Sequence, residues 1–246
     1  MLVDIHAHLH FKEFENDLDK VIERAKNVGV TTIINSGTSL KTNKQTLELS
    51  KKYNIIKPSF GLYPIEALTS NIEKELDYIE KNKNNIIAIG EVGLDYLENK
   101  EKEKQKKIFF KIIELAEKIK KPLILHTRKA EADVLDILES TKAKNTVLHC
   151  FSGNMKLVNR AYDIGCYFSI PPIIIRLEHF QSLVKIIPAT RLLTETDSPY
   201  LSPIREKRNE PANIIKSIEA IAKIKKIEVE ETKKIIFSNY QKIFLK

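Results

Sequence analysis

The chain contains no tryptophan and only two cysteines in 246 residues. Cys150 and Cys166 have neither the spacing of metal ligands nor enough company for a disulfide framework. That excludes a stapled secreted scaffold and suits a reducing, cytoplasmic setting. No charged leader runs into an apolar segment, and no apolar stretch is long enough to span a bilayer. Neither a signal peptide nor a membrane segment is therefore expected. Glutamine is scarce, while Lys, Glu and Ile dominate. Such a composition also marks heat-adapted proteins with ion-pair-laced helices. Lys and Arg number 41 against 33 Asp and Glu, a formal net charge of +8. This pulls only mildly toward phosphate-bearing partners.

The length fits one large domain spanning 1–246. Short apolar runs are expected as strands at Leu2–Leu9, Thr31–Ser36, Ile56–Gly61, Ile86–Val92, Pro122–Thr127, Thr146–Phe151, Cys166–Ile170 and Arg191–Thr196. Between them lie segments of helical periodicity: Asp17–Val28, Leu40–Lys52, Ile72–Lys81, Glu101–Lys120, Glu131–Glu139, Met155–Ile164, Arg176–Ile186 and Pro211–Lys223. The strands are continuously apolar, as they are when both faces of a parallel sheet are covered. The strict alternation predicts an α/β fold, a (β/α)8 TIM barrel, more economically than an open sheet. A further short helix over Val229–Ile236 and an apolar tail, Phe237–Leu245, are expected to pack on it.

Polar residues gather at the ends of these strands. His6 and His8 are two apart, so on a strand they face the same way and form half of a first-row metal site. Glu91 closes the fourth strand, His126 the fifth, His149 the sixth and Asp197 the eighth. In a barrel all these ends open on one mouth, where active sites are built. Six ligands exceed the needs of one tetrahedral ion and suit two ions a few Å apart. The expected division gives His6, His8 and Asp197 to one ion and His126 and His149 to the other, with Glu91 bridging. Such ions lower the pKa of water to neutrality, and Asp197 is placed to take its proton. Four imidazoles suit Zn, Mn, Co, Ni or Fe.

The runs carrying these residues resemble the TatD family of metal-dependent deoxyribonucleases, within the amidohydrolase-like barrels. They are Asp4-Ile5-His6-Ala7-His8, Gly90-Glu91-Val92-Gly93-Leu94-Asp95, His126-Thr127-Arg128, His149-Cys150-Phe151-Ser152-Gly153 and Thr196-Asp197-Ser198-Pro199-Tyr200-Leu201. Arg208-Asn209-Glu210-Pro211 resembles the family's Arg-Asn-x-Pro turn. The resemblance implies a (β/α)8 fold, two divalent ions (Mg, Mn or Zn), and 3′–5′ exonuclease action on DNA, single-stranded DNA foremost, with RNA as a further substrate. One departure stands out. The family's Gly-x-His-Pro is here Gly61-Leu62-Tyr63-Pro64. Tyr63 can donate a hydrogen bond to substrate but cannot carry a proton near neutral pH.

Beside the metal ligands, Arg128 is expected either to clamp a phosphate or to pair with Glu131. Arg205, Lys207 and Arg208 form a basic loop that either tracks a nucleic-acid backbone or is simply solvated, and Arg208 is the candidate substrate contact. Ser152 and Gly153 either bind an anion or cap a helix. Cys150 reads as wall packing. Phe109 and Phe110 read as core. Asp4 is expected to accept from a ligand imidazole. Two other functions fit the same residues: a two-metal hydrolase of a small amide, lactone or phosphoester, and a nucleic-acid-binding protein whose catalysis has decayed. A monomer is expected.

Overall fold

The computed structural model describes residues 1–98 and 100–245. Its first half runs β1 (Leu2–Ala7), α1 (Leu18–Asn27), β2 (Val30–Ser36), α2 (Leu40–Lys52), β3 (Ile56–Phe60), the single turn α3 (Pro64–Ala67), α4 (Ile72–Lys81) and β4 (Ala88–Asp95). The second half runs α5 (Lys102–Ile119), β5 (Leu123–Arg128), α6 (Glu131–Thr141), β6 (Thr146–Leu148), α7 (Met155–Asp163), β7 (Tyr167–Ile170), α8 (Glu178–Ile186), β8 (Leu192–Thr194), α9 (Ile214–Lys225) and α10 (Val229–Phe244). The eight strands pair in parallel in chain order. The architecture is the expected (β/α)8 barrel. Among the described residues no helix is long and apolar enough to cross a membrane.

The barrel shuts through a seam rather than a full ladder. Thr194 Oγ1 donates to Val3 O at 2.7 Å, deep in the core. Further along, Asp197 N donates to His6 O and His8 N donates to Ser198 O, both at 2.8 Å. The backbone hydrogen bonds that close the cylinder therefore belong to three of the expected metal ligands.

Several boundaries differ from expectation for local reasons. β6 ends at Leu148 and β8 at Thr194, so His149 and Asp197 stand on the loops just beyond. Cys150 (φ 45°) and Asp197 (φ 53°) adopt left-handed backbone there, which no strand continues through. β4 runs on to Asp95, held by the amide of Gln105: Asp95 N donates to Gln105 Oε1, and Gln105 Nε2 donates to Asp95 O. The expected tail Phe237–Leu245 is not a tail, because α10 continues to Phe244. Tyr240, Ile243 and Phe244 share one helical face and pack with Val3, Ile5, Ile124 and Val147, flooring the barrel at the start of its strands. Phe109 is fully buried but its neighbour Phe110 is 38% exposed. Adjacent residues on a helix point about 100° apart, so only one of the pair reaches the core.

Two glycines let backbones approach at the mouth. A Cβ on Gly61 would stand 2.2 Å from Glu91 N and 2.4 Å from Glu91 O. Gly93 (φ 140°) packs equally close to His126 O. These contacts are with main chain, which cannot swing aside as a side chain does. Gly61→Ala is therefore expected to destabilise the fold by about 2–3 kcal/mol and to displace Glu91. Urea unfolding of the metal-free protein checks the first effect. Weakened metal uptake by the folded fraction checks the second.

Candidate metal centre

The six expected ligands converge. The ligand atoms of His6, His8 and Asp197 lie within 4.8 Å of one another, and so do those of His6, Glu91 and His149. Glu91 stands in the middle with its two oxygens facing different histidines. Oε2 lies 3.6 Å from His6 Nε2 and 3.3 Å from His8 Nε2. Oε1 lies 2.7 Å from His126 Nδ1 and 3.1 Å from His149 Nε2. Asp197 Oδ1 lies 3.4 Å from Nε2 of both His6 and His8. His6 also stacks on His149, ring centres 4.2 Å apart, which ties the two halves of the cluster together.

Three of the four imidazoles are hydrogen-bonded on their outer side, and His149 faces a carboxylate there without a hydrogen bond. His8 Nδ1 donates to Ser36 O at 2.9 Å, and His6 Nδ1 lies 3.0 Å from Ser36 Oγ. His126 Nε2 lies 3.2 Å from Asp95 Oδ2, and His149 Nδ1 lies 3.4 Å from Glu195 Oε2. An outer partner of this kind fixes the tautomer and leaves the inner lone pair for a metal. His6 Nε2 is wholly buried yet has no hydrogen-bond partner. An orphaned, inward-facing imidazole nitrogen beside two carboxylates fits a divalent cation and nothing else in the cluster satisfies it. The residues present therefore suit the ions that the motifs imply.

Electrostatics agree with the geometry. Burial alone would raise the Glu91 carboxyl, but His149, His126 and His6 hold it well below the usual range. Asp197 is likewise held low against burial by His6 and His8. Burial would lower His8, but Asp197 and Glu91 push it up to about 10. His149 is raised well above its ordinary value against burial, by Glu91 and Glu195. The cluster holds its protons on imidazoles and its negative charge on carboxylates, a state that a cation inverts by displacing the protons.

The cluster opens into a cavity of about 550 Å³. Arg128 lies on its wall, half exposed, 3.6 Å from Asp95 Oδ2 rather than paired with Glu131. Glu131 instead accepts from Ser152 Oγ. Tyr63 lines the cavity too, but its hydroxyl donates to Asp95 Oδ2 at 2.5 Å, so the expected substrate hydrogen bond is replaced by a brace on the carboxylate that anchors His126. Glu66, on the same wall with much of its side chain in solvent, has its carboxyl pushed up by partial desolvation.

Arg208 does not face the cavity. Its guanidinium grips Asp17 through Nη1 at 2.8 Å and Nη2 at 2.7 Å, bonds Glu13 O, and covers the Phe14 ring. Its Nη1–Nη2 edge is thus taken by Asp17, and the guanidinium stands outside the cavity lining. Asp4 also departs from expectation. Its carboxylate accepts from the backbone N–H of Thr196 at 2.9 Å and of His6 at 3.3 Å, not from an imidazole. Burial pushes Asp4 up to about 8, against those bonds. Asn154, whose Oδ1 accepts from Lys156 N and Leu157 N, caps α7, so capping falls to it rather than to Ser152. Burial raises the Cys150 thiol well above its ordinary value, consistent with wall packing. Sequence reasoning passed over Ser36, Asp95 and Glu195. For Asp95 and Glu195 a signal existed: each stands an even number of residues from Glu91 or Asp197, as His6 does from His8.

Two outcomes follow from this geometry. Asp197 and Glu91 favour the protonated form of His8 in the metal-free protein, whereas His8 must be neutral to ligate. Metal uptake should therefore release protons, and apparent affinity should rise up to about tenfold per pH unit per proton between neutrality and pH ~9. Calorimetry in two buffers of different ionisation heat measures the release, and a pH-independent affinity would mean that no ligand imidazole carries an extra proton before metal enters. Arg208→Ala should lower stability by about 1 kcal/mol, since the pair is partly solvent-screened, while leaving KM alone. A raised KM with unchanged stability would return Arg208 to the substrate.

Comparison with known proteins adds the family. Residues 3–245 match the family described as TatD related DNase. The chain is 41% identical over 244 residues to an uncharacterised metal-dependent hydrolase of Methanocaldococcus jannaschii, covering 98% of this chain and 96% of that one. It is 35% identical over 260 residues to the human deoxyribonuclease TATDN3, covering 100% of this chain and 95% of the human protein. In structure it resembles the TatD homologue YJJV of Escherichia coli K12, with a TM-score of 0.92 at 23% identity, over 100% of this chain and 98% of the other. That last likeness carries the fold alone. A family match across nearly the whole chain, on a barrel whose mouth gathers four histidines and two carboxylates, makes this chain a member of the TatD family of metal-dependent hydrolases.

Proposed function

We propose that the protein is a two-ion phosphodiesterase that shortens single-stranded DNA from its 3′ end, with RNA as a second substrate. The observation that carries this reading is Glu91, whose two oxygens serve separate pairs of histidines: Oε2 faces His6 and His8, Oε1 faces His126 and His149. A carboxylate so placed suits a bridge between two ions. The deoxyribonuclease names of relatives support the substrate class. Divalent ions of the Mg, Mn or Zn type, when bound, polarise a phosphoryl oxygen and make hydroxide available at neutral pH.

His6, His8 and Asp197 would hold one ion, and His126 and His149 the other, with Glu91 shared. Asp197, kept ionised by the histidines beside it, accepts the proton of the attacking water. Imidazoles whose lone pairs are committed to metal cannot do so. Arg128, with half its side chain in solvent, meets a phosphate oxygen on the cavity wall. Tyr63 acts through Asp95, holding His126 in the tautomer whose Nδ1 faces Glu91.

A second reading keeps the ions and takes a small amide, lactone or phosphoester. The cavity volume, about 550 Å³, falls within the range of small-molecule sites. The chelator-stripped protein, given Mg, Mn or Zn singly, is expected to shorten 5′-labelled single-stranded DNA stepwise from the 3′ end. Glu91→Ala is expected to lose more than the roughly 100-fold that removing an outer-shell partner costs. Full activity in Glu91→Ala ends the bridging assignment. Bound metal without cleavage of any oligonucleotide favours the small substrate.

A further inference from the structure

A second hollow, of about 940 Å³, runs along the outer wall between α1 and α2. It meets the metal cavity at Phe11, which lines both. Phe11 lies flat on the imidazole of His8, rings 4.9 Å apart and 7° from parallel, and edge-on to Tyr200 at 6.1 Å. Tyr200 is 53% exposed at the mouth of the metal cavity. Two aromatic rings thus form the threshold between the hollows.

The charge of the groove is settled by which groups are already paired. Its carboxylates are mostly neutralised: Asp17 by Arg208 and Arg24, Asp19 by Lys52, Glu48 by Lys51. Its lysines are mostly not. Lys12, Lys20, Lys41 and Lys44 line the groove, exposed, and none forms an ion pair among the described residues, Lys44 lying over the Tyr78 ring. Against these four cations stands one unpaired carboxylate, Glu15. The groove is therefore a cationic furrow that starts at an aromatic step beside a metal ligand.

We propose that this furrow is the path of the polynucleotide strand leading away from the metal centre. The terminal nucleotide occupies the metal cavity, an adjacent base stacks at the Phe11–Tyr200 step, and the following phosphates lie against Lys12, Lys20 and Lys41. Stacking accepts any base and lysines read only backbone charge, so the path selects a single strand without selecting its sequence. The inference rests on the phosphodiesterase reading above.

The test compares a thymidine dinucleotide with an oligothymidylate of ten residues, using the metal-loaded protein. The dinucleotide reaches the metal cavity and the aromatic step but not the lysines beyond. The wild-type protein is expected to show a KM for the longer substrate at least about tenfold lower. In the triple variant Lys12→Gln, Lys20→Gln, Lys41→Gln that ratio is expected to collapse toward unity. The slope of log Kd against log salt for the longer strand should fall by about 2, the single-strand value for three phosphate contacts. The same charge removed at Lys142, Lys144 and Lys185, away from the furrow, should leave ratio and slope at wild-type values. A triple variant that keeps the wild-type ratio and slope overturns the path, as does a wild-type protein that hydrolyses both substrates with equal KM; both leave the phosphodiesterase reading standing. Failure to hydrolyse either substrate under any metal overturns the two together.

Discussion

The seam between the last strand and the first is the constraint on which the rest depends. A barrel of parallel strands has no free edge only if its eighth strand finds its first. Here that meeting relies on Asp197 N–H to His6 O and His8 N–H to Ser198 O, with Thr194 bonding Val3 below. The main-chain bonds of the seam involve His6, His8 and Asp197, whose side chains enter the metal cluster. Closing the barrel and assembling three of the candidate ligands are one event.

Gathering four imidazoles and two ionised carboxylates out of water carries a desolvation penalty that their mutual attraction must offset. The cluster meets it by alternation: each inner nitrogen faces a carboxylate oxygen, and each outer nitrogen has a carbonyl, hydroxyl or second carboxylate behind it. Close main-chain packing supports this. Gly61 lets Glu91 sit against β3, and Asn43 clasps Gly61 with both ends of its amide. The unpartnered Nε2 of His6 marks where the balance is incomplete without a cation.

Much of this was legible in the residue order. The spacing of His6 and His8 and the strand-end positions of Glu91, His126, His149 and Asp197 are one-dimensional signals, because strand periodicity and barrel polarity turn sequence position into spatial direction. The anchors were harder. Ser36 serves His6 and His8 from a neighbouring strand, and nothing in its own surroundings in the sequence announces that. Asp4 looked equivalent to His6 by alternation, but the register of β1 against β2 shifts between Asp4 and Ala7 and turns its carboxylate to the backbone of the seam. Arg208 was misread because a basic loop residue looks the same whether its partner is a phosphate or Asp17, which lies 191 residues earlier in the chain. α10 continued past its expected end because the apolar residues of the supposed tail recur at helical spacing over the barrel floor.

That floor has a consequence for how the molecule comes into being on the ribosome. Val3 and Ile5 are covered by Tyr240, Ile243 and Phe244, more than 230 residues further along the chain. β1, which carries His6 and leads into His8, is made before β8 and α10 and waits for both before its edge is paired and its apolar side is sheltered. Contacts of such sequence separation form late and expose an unpaired strand while they are pending. The metal-gathering strand is thus made long before the elements that secure it, and its ligand set is incomplete until Asp197 has been synthesised.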